Sequence, residues 1–312
     1  MSRHQNSVSF FERLFFKPNI LDWVIISLLS PFALLYATVM FLRRVFTLKK
    51  SYSVPIISIG NLTVGGSGKT PFVIALASRY DKVTIISRGY GRESKGLVEV
   101  SRDGQIVTDV FASGDEPMLM AKSLKDASVI VSENRQMAID LALSRGAKII
   151  FLDDGFNRVE IKKFEILLFP KSIKNYLPFP AGPFREFYFS KWFSDLNLYE
   201  ELDFKREVNF KDETEKMMLV TAISNPERLN PFLIGKNIVG EYLLEDHAYF
   251  NEKLLKERML TLGATSLLVT EKDEVKMKDF QLPLSVMQLK LQIKNTVLKK
   301  IDSYIGEYTH ER

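Results

Sequence analysis

Residues 58–71 read SIGNLTVGGSGKTP. An apolar run from Val54 to Ile59 precedes this stretch and a helical pattern from Phe72 to Tyr80 follows it, so it sits where a strand hands over to a helix. Gly65, Gly66 and Gly68 let the backbone turn tightly with its N–H groups inward, and the positive end of the next helix completes a cradle for phosphate. The expected nucleotide-binding residues are Thr63, Gly65, Gly66, Ser67, Gly68, Lys69 and Thr70. Lys69 would reach the β- and γ-phosphates, and the Thr70 hydroxyl would hold Mg²⁺. The usual pattern is G-x-x-x-x-G-K-[ST]; Thr63 stands where its first glycine belongs, so this motif is a variant.

Outward from the cradle, strand and helix patterns alternate. Lys82 to Ile86 reads as a strand ending in Ser87-Arg88-Gly89-Tyr90-Gly91, and a hairpin is expected from Leu97 to Val107. Gly114-Asp115-Glu116-Pro117 opens an amphipathic run, with Asp115 suited to an N-cap and Pro117 to a first turn. A strand from Ser128 to Val131 and a helix from Arg135 to Arg145 follow. The apolar strand Lys148 to Leu152 then runs into Asp153 and Asp154. A carboxylate at that strand end would complete the Mg²⁺ shell opposite Thr70. After the strand Phe164 to Phe169, a proline-rich loop over residues 177–186 presents Arg185, which is otherwise a solvated loop charge.

The charged segment from Asp203 to Lys216 is expected to separate two α/β layers, with nucleotide in the cleft between them. The expected division is an N-terminal membrane-associating segment (1–50), a phosphate-loop kinase domain (51–205) and a smaller α/β domain (206–312). In the last of these, Asp246-His247 ends a strand, where His247 could meet Asp115. Thr270-Glu271-Lys272-Asp273 ends another and weakly suggests a frame for a purine base.

The chain has 312 residues, enough for two ordinary cores, with 43 Lys plus Arg against 38 Asp plus Glu. That mild excess suits an anionic surface or substrate. Without cysteine, disulfides and thiolate metal sites are excluded. From Trp23 to Leu42 the sequence carries no charge, and Arg43, Arg44, Lys49 and Lys50 follow. A bilayer needs about 20 such residues, and the basic cluster predicts a cytoplasmic body. Pro31 is expected to kink or break this helix into two pieces that could lie in the interface. A buried core helix is the alternative.

The set GNLTVGGSGKTP, SRGYG, GDEP, LDDGF, LPFPAGPFRE, EDHAYF and TEKDEVK, in this order from about Asp22 to Lys276, resembles the tetraacyldisaccharide 4'-kinase family of lipid A biosynthesis. The resemblance implies an α/β fold: a phosphate-loop parallel sheet sandwich, a second smaller α/β domain and an apolar N-terminal helical segment. It further implies ATP-dependent phosphorylation of the 4'-hydroxyl of an acylated, lipid-linked glucosamine disaccharide 1-phosphate. ATP and Mg²⁺ would be the cofactors, and the reaction would run at the cytoplasmic face of the inner membrane. A monomer with no nucleic-acid partner is expected. The Thr63 departure belongs to the family's own pattern.

Carried over to this chain, the resemblance makes Asp115 the base for the hydroxyl proton and His247 its partner. Lys69 and Arg185 would neutralise the transferring phosphoryl group. Thr70, Glu116, Asp153 and Asp154 would surround the metal, and Arg88, Tyr90 and Arg135 would line the acceptor side. Asn157, Phe187 and Ala248 depart from the family's usual Gln, Pro and His. Two rival readings stand beside it. A membrane-bound GTPase switch or insertion factor would need N-K-x-D or T-K-x-D, which Glu271 interrupts. A soluble small-metabolite kinase would treat the apolar N-terminus as core.

Overall fold

The structure, a computed structural model, describes residues 10, 11, 13–64 and 68–310. Gly65, Gly66 and Ser67 of the expected cradle lie outside the described residues. In chain order the strands are β1 (Ile56–Gly60), β2 (Val83–Ser87), β3 (Val98–Arg102), β4 (Gln105–Ile106), β5 (Ser128–Val131), β6 (Ile149–Asp153), β7 (Phe164–Phe169), β8 (Leu196–Tyr199), β9 (Phe204–Lys211), β10 (Met217–Thr221), β11 (Ile238–Leu243), β12 (Ser266–Thr270) and β13 (Leu284–Ile293). The longer helices are α1 (Ile20–Phe46), α2 (Lys69–Ala77), α3 (Asp115–Ser123), α4 (Arg135–Ser144), α5 (Glu252–Leu262) and α6 (Asn295–His310). The chain forms two compact units, one of residues 1–69, 149–205 and 293–312, the other of residues 70–148 and 206–292.

In the first unit four parallel strands run in the order β6-β1-β7-β8. β1 reads IISIG and is buried throughout, as a parallel strand covered on both faces must be. Its register sets Ile59 beside Asp153 on one side and Ile166 on the other, which brings the acidic end of β6 level with the start of the phosphate loop. Close packing of that strand end requires Gly60: a Cβ there would stand 2.8 Å from the Phe156 Cβ.

The helix α1 starts from a capping box, in which the Asn19 side chain accepts from the Asp22 N–H and the Asp22 carboxylate accepts from the Asn19 N–H. It runs 27 residues, about 40 Å at 1.5 Å per residue, and is long and apolar enough to cross a membrane. One narrow stripe is buried, Asp22, Ile26, Ala33, Ala37 and Arg44, while Leu28, Phe32, Leu35 and Val39 are exposed. A core helix would hide those side chains, so the exposed apolar surface points weakly to membrane association. Contrary to the expected break, Pro31 lies inside one continuous helix. Pro31 removes only the one helical hydrogen bond to the Ser27 carbonyl, and the long apolar run on both sides of it carries the helix through.

In the second unit β2 pairs in parallel with β5, and β3 joins β5 antiparallel with β4 as its hairpin partner. A separate five-stranded sheet has the order β11-β10-β12-β13-β9. Its central strand β10 reads MMLVT and shows why such strands are apolar on both faces. Met218 and Val220 pack with Leu255, Leu267 and Val269 on one side, and Met217 and Leu219 pack with Leu268 and Met287 on the other. The segment read as a charged separator contains β9, whose Val208 and Phe210 pack against the second of these clusters.

Candidate active site

The first unit carries one half of the expected site. Around the phosphate loop, the Val64 N–H donates to the Pro183 carbonyl at 2.8 Å and Thr63 bridges Phe184, so the proline-rich loop buttresses the turn. Gly68 takes a left-handed φ of +74°, after which α2 begins at Lys69. The Lys69 ammonium donates to the Asn61 side chain at 3.1 Å and lies 3.6 Å from the Asp154 carboxylate. Nη1 of Arg185 donates to both oxygens of Asp154, at 2.9 and 3.2 Å. The structure thus brings Lys69, Asp154 and Arg185 together, with Asp153 beside them as the last residue of β6.

In the second unit the geometry centres on Asp115, the first residue of α3, where the helix dipole favours an anion. Nδ1 of His247 sits 2.8 and 3.0 Å from the two Asp115 oxygens. Facing an ionised carboxylate, that nitrogen donates. His247 adopts φ +64°, and its ring packs 3.2 Å from where a Cβ on Gly91 would stand, so a glycine at 91 is what leaves room for it. Two lysines complete the surround. Lys276 is buried with its ammonium 3.5 Å from Asp115 and 3.2 Å from Asp273. Lys272 lies 3.8 Å from Asp115, 3.3 Å from Glu116 and 3.0 Å from Asp246.

Burial of Asp115 would raise its pKa. The His247 hydrogen bond and the charges of Lys272, His247 and Lys276 outweigh that effect and hold the carboxyl below its ordinary value. Lys272 shows the reciprocal effect: burial would lower its pKa, but Glu116, Asp115 and Asp246 raise it. Asp115 is therefore a carboxylate at neutral pH, pre-oriented by three cationic or donating groups.

Of the expected acceptor-side residues, Tyr90 is exposed with its ring 5.1 Å from that of His247. Arg88 is exposed, whereas Arg135 is buried and donates to the Ser132 carbonyl. Asp273 does not frame a base: it is fully buried and accepts from the Thr221 and Thr270 hydroxyls and the Ala222 N–H. The grouping of Lys272 and Lys276 about Asp115 joins positions far apart in the chain, and no local pattern signals it.

Among the described residues no three His, Cys, Asp or Glu side chains converge as a metal cage. A hydroxyl (Thr70) and carboxylates (Glu116, Asp153, Asp154) are nonetheless the hard oxygen donors that Mg²⁺ takes, and Mg²⁺ commonly uses only one or two carboxylates beside phosphate oxygens and water.

A strand-to-helix phosphate loop with lysine at the helix start, next to a parallel strand that ends in paired carboxylates, defines a P-loop α/β protein. The family model for Tetraacyldisaccharide-1-P 4'-kinase (LpxK) matches residues 25–198 and 190–306. The tetraacyldisaccharide 4'-kinase of Helicobacter acinonychis (strain Sheeba) is 48% identical over 303 residues, 96% of this chain and 96% of that one. The corresponding protein of Aliarcobacter butzleri (strain RM4018) is 45% identical over 308 residues, 95% of this chain and 96% of that one. The crystal structure of the "apo" form of LpxK from Aquifex aeolicus in complex with ATP has a TM-score of 0.76 and 29% identity to this chain, covering 91% of this chain and 99% of that one. The chain belongs to the tetraacyldisaccharide 4'-kinase family.

Proposed function

We propose that this protein transfers the γ-phosphate of ATP to the 4'-hydroxyl of an acylated glucosamine disaccharide 1-phosphate lipid, at the cytoplasmic face of the inner membrane. The observation that carries the reading is the Asp115–His247 pair at the start of α3, in a member of this kinase family. The 4'-oxygen attacks the γ-phosphorus, the bond to the β-phosphate bridging oxygen breaks, ADP leaves, and the hydroxyl proton passes to Asp115. A carboxylate with a lowered pKa is a weak base for a sugar hydroxyl. Phosphoryl transfer through a loose transition state asks little of the base until late, so orientation by His247 outweighs basicity.

In this reading Lys69 and Arg185 neutralise the phosphoryl oxygens, and Thr63 with residues 65–70 cradles the nucleotide. Thr70 and Asp153 would hold Mg²⁺, with Glu116 and Asp154 next to it; when bound, the ion screens charge on the β- and γ-phosphate oxygens. Arg88 and Tyr90 would face the acceptor, and Arg135 would shape that side from its buried position. The division into residues 1–50 for membrane association, 51–205 for the kinase domain and 206–312 for a smaller α/β domain, and action as a monomer, belong to the same proposal. Exposed apolar side chains along α1, with the exposed Arg43, Lys49 and Lys50 at and just after its end, support attachment to lipid. The test is ADP release by purified protein in detergent with and without the acceptor lipid. Release that needs the acceptor is expected; equal release without it would refute a lipid kinase.

A further inference from the structure

Arg44, near the C-terminal end of α1, is almost fully buried, as is its partner Glu186. Nε and Nη2 form a fork on the two Glu186 oxygens at 2.8 and 2.6 Å. Nη2 also donates to the Phe156 carbonyl at 3.0 Å, and the guanidinium lies over the Phe156 ring, 3.7 Å from its centroid. Both partners sit beside the Asp154–Arg185 pair in sequence. Phe156 comes two residues after Asp154, and Glu186 directly follows Arg185. One guanidinium therefore clamps the two loops that meet at that pair. Arg43 adds a second tie, donating to the Asn157 carbonyl at 3.0 Å.

A buried ion pair is weak evidence for stability, since apolar side chains of similar volume do as well once both charges are gone. What the fork supplies is geometry: five fixed donors, two on a carboxylate and one on a carbonyl, that a lysine or a methionine does not reproduce. Arg185 has one further anchor, its N–H to the Leu62 carbonyl at 2.7 Å. Its guanidinium otherwise depends on where the two loops are held.

We propose that Arg44 is a positioning residue for phosphoryl transfer, setting Arg185 and Asp154 against Lys69 through the clamp on Glu186 and Phe156. The apolar helix α1 then contributes to turnover as well as to attachment. The proposal rests on the reading of Arg185 as a group that neutralises the transferring phosphate.

The test uses the full chain in detergent, with kcat measured at saturating ATP and acceptor lipid and with thermal melting followed alongside. Arg44→Met with Glu186→Leu removes both charges, and Arg44→Lys keeps the charge but loses the fork. Both are expected to melt near the parent and to lose about 10-fold or more in kcat with KM for ATP little changed, as for a misplacement of a fraction of an ångström. In an Arg185→Ala background the same changes are expected to cost less than about twofold further, because coupled residues are not additive. Parent-like kcat in Arg44→Lys, or an equal fold loss in both backgrounds, overturns the proposal. Full turnover by Arg185→Ala alone refutes the role assigned to Arg185, and the positioning proposal with it. If the double substitution does not fold, Arg44→Lys in the two backgrounds decides.

Discussion

Replacing His247 by alanine removes one partner from Asp115 and leaves two cations, Lys276 at 3.5 Å and Lys272 at 3.8 Å. A hydrogen bond to a charged group contributes about 1.5–3 kcal/mol, or roughly one to two pH units at about 1.36 kcal/mol per unit. Each remaining lysine contributes about 4–5 kcal/mol of attraction at an effective dielectric constant near 20, before desolvation is subtracted. The lysines therefore win, and Asp115 stays ionised at neutral pH without His247. The expected result is an acid limb of kcat/KM that moves up by about one to two pH units. Turnover at the optimum falls by about 10- to 100-fold, less than the 10²- to 10⁴-fold typical of losing a general base.

The sign of the stability change follows from the same shift. The folded pKa of Asp115 lies below its unfolded value, so its stabilisation is present above the unfolded value and disappears as pH falls through the folded one. The melting difference between the parent and His247→Ala should thus be largest near neutral pH and vanish in acid. Turnover measured from neutral pH down to about pH 3, with melts over the same range, checks both parts. An unchanged rate and profile, or a limb that moves down, would refute the reasoning.

Gly91→Ala places a Cβ 3.2 Å from the His247 ring at a backbone φ of +75°. It should cost about 1–2 kcal/mol of stability and lower turnover toward the His247→Ala level, with little further loss when the two are combined, as steady-state kinetics on the three variants would reveal. Gly60→Ala, whose Cβ would meet Phe156 at 2.8 Å, should lower stability by about 1–3 kcal/mol in denaturant titration. The chain has two tryptophans, so in Trp192→Phe the fluorescence reports Trp23 of α1 alone. Vesicles of brominated anionic lipid should quench that emission strongly, and emission unchanged by the vesicles would contradict membrane seating of α1.

Much of this arrangement was legible in the residues themselves. The turn at residues 63–70 announces its strand and helix through glycines and a lysine, and the acidic end of β6 follows from an apolar run that stops at Asp153. Local patterns of this kind persist into the fold because both faces of each strand are buried. Three features were hidden for distinct reasons. β9 reads as polar because it alternates, one face packed and one exposed. The continuity of α1 through Pro31 was hidden because a local breaker rule weighs one lost hydrogen bond and not the long apolar run on both sides of it. The grouping of Lys272 and Lys276 around Asp115, and of Arg44 with Glu186, joins residues far apart in sequence, and such pairings appear only when the chain is folded.

The most direct measurement of the account is transfer of labelled γ-phosphate from ATP to detergent-solubilised disaccharide 1-phosphate lipid, by the intact protein and by Asp115→Ala. Label is expected at the 4'-position with the intact protein, with a rate lower by about a hundredfold or more in the variant. Absence of transfer by folded, ATP-binding protein, or equal transfer by Asp115→Ala, would contradict it.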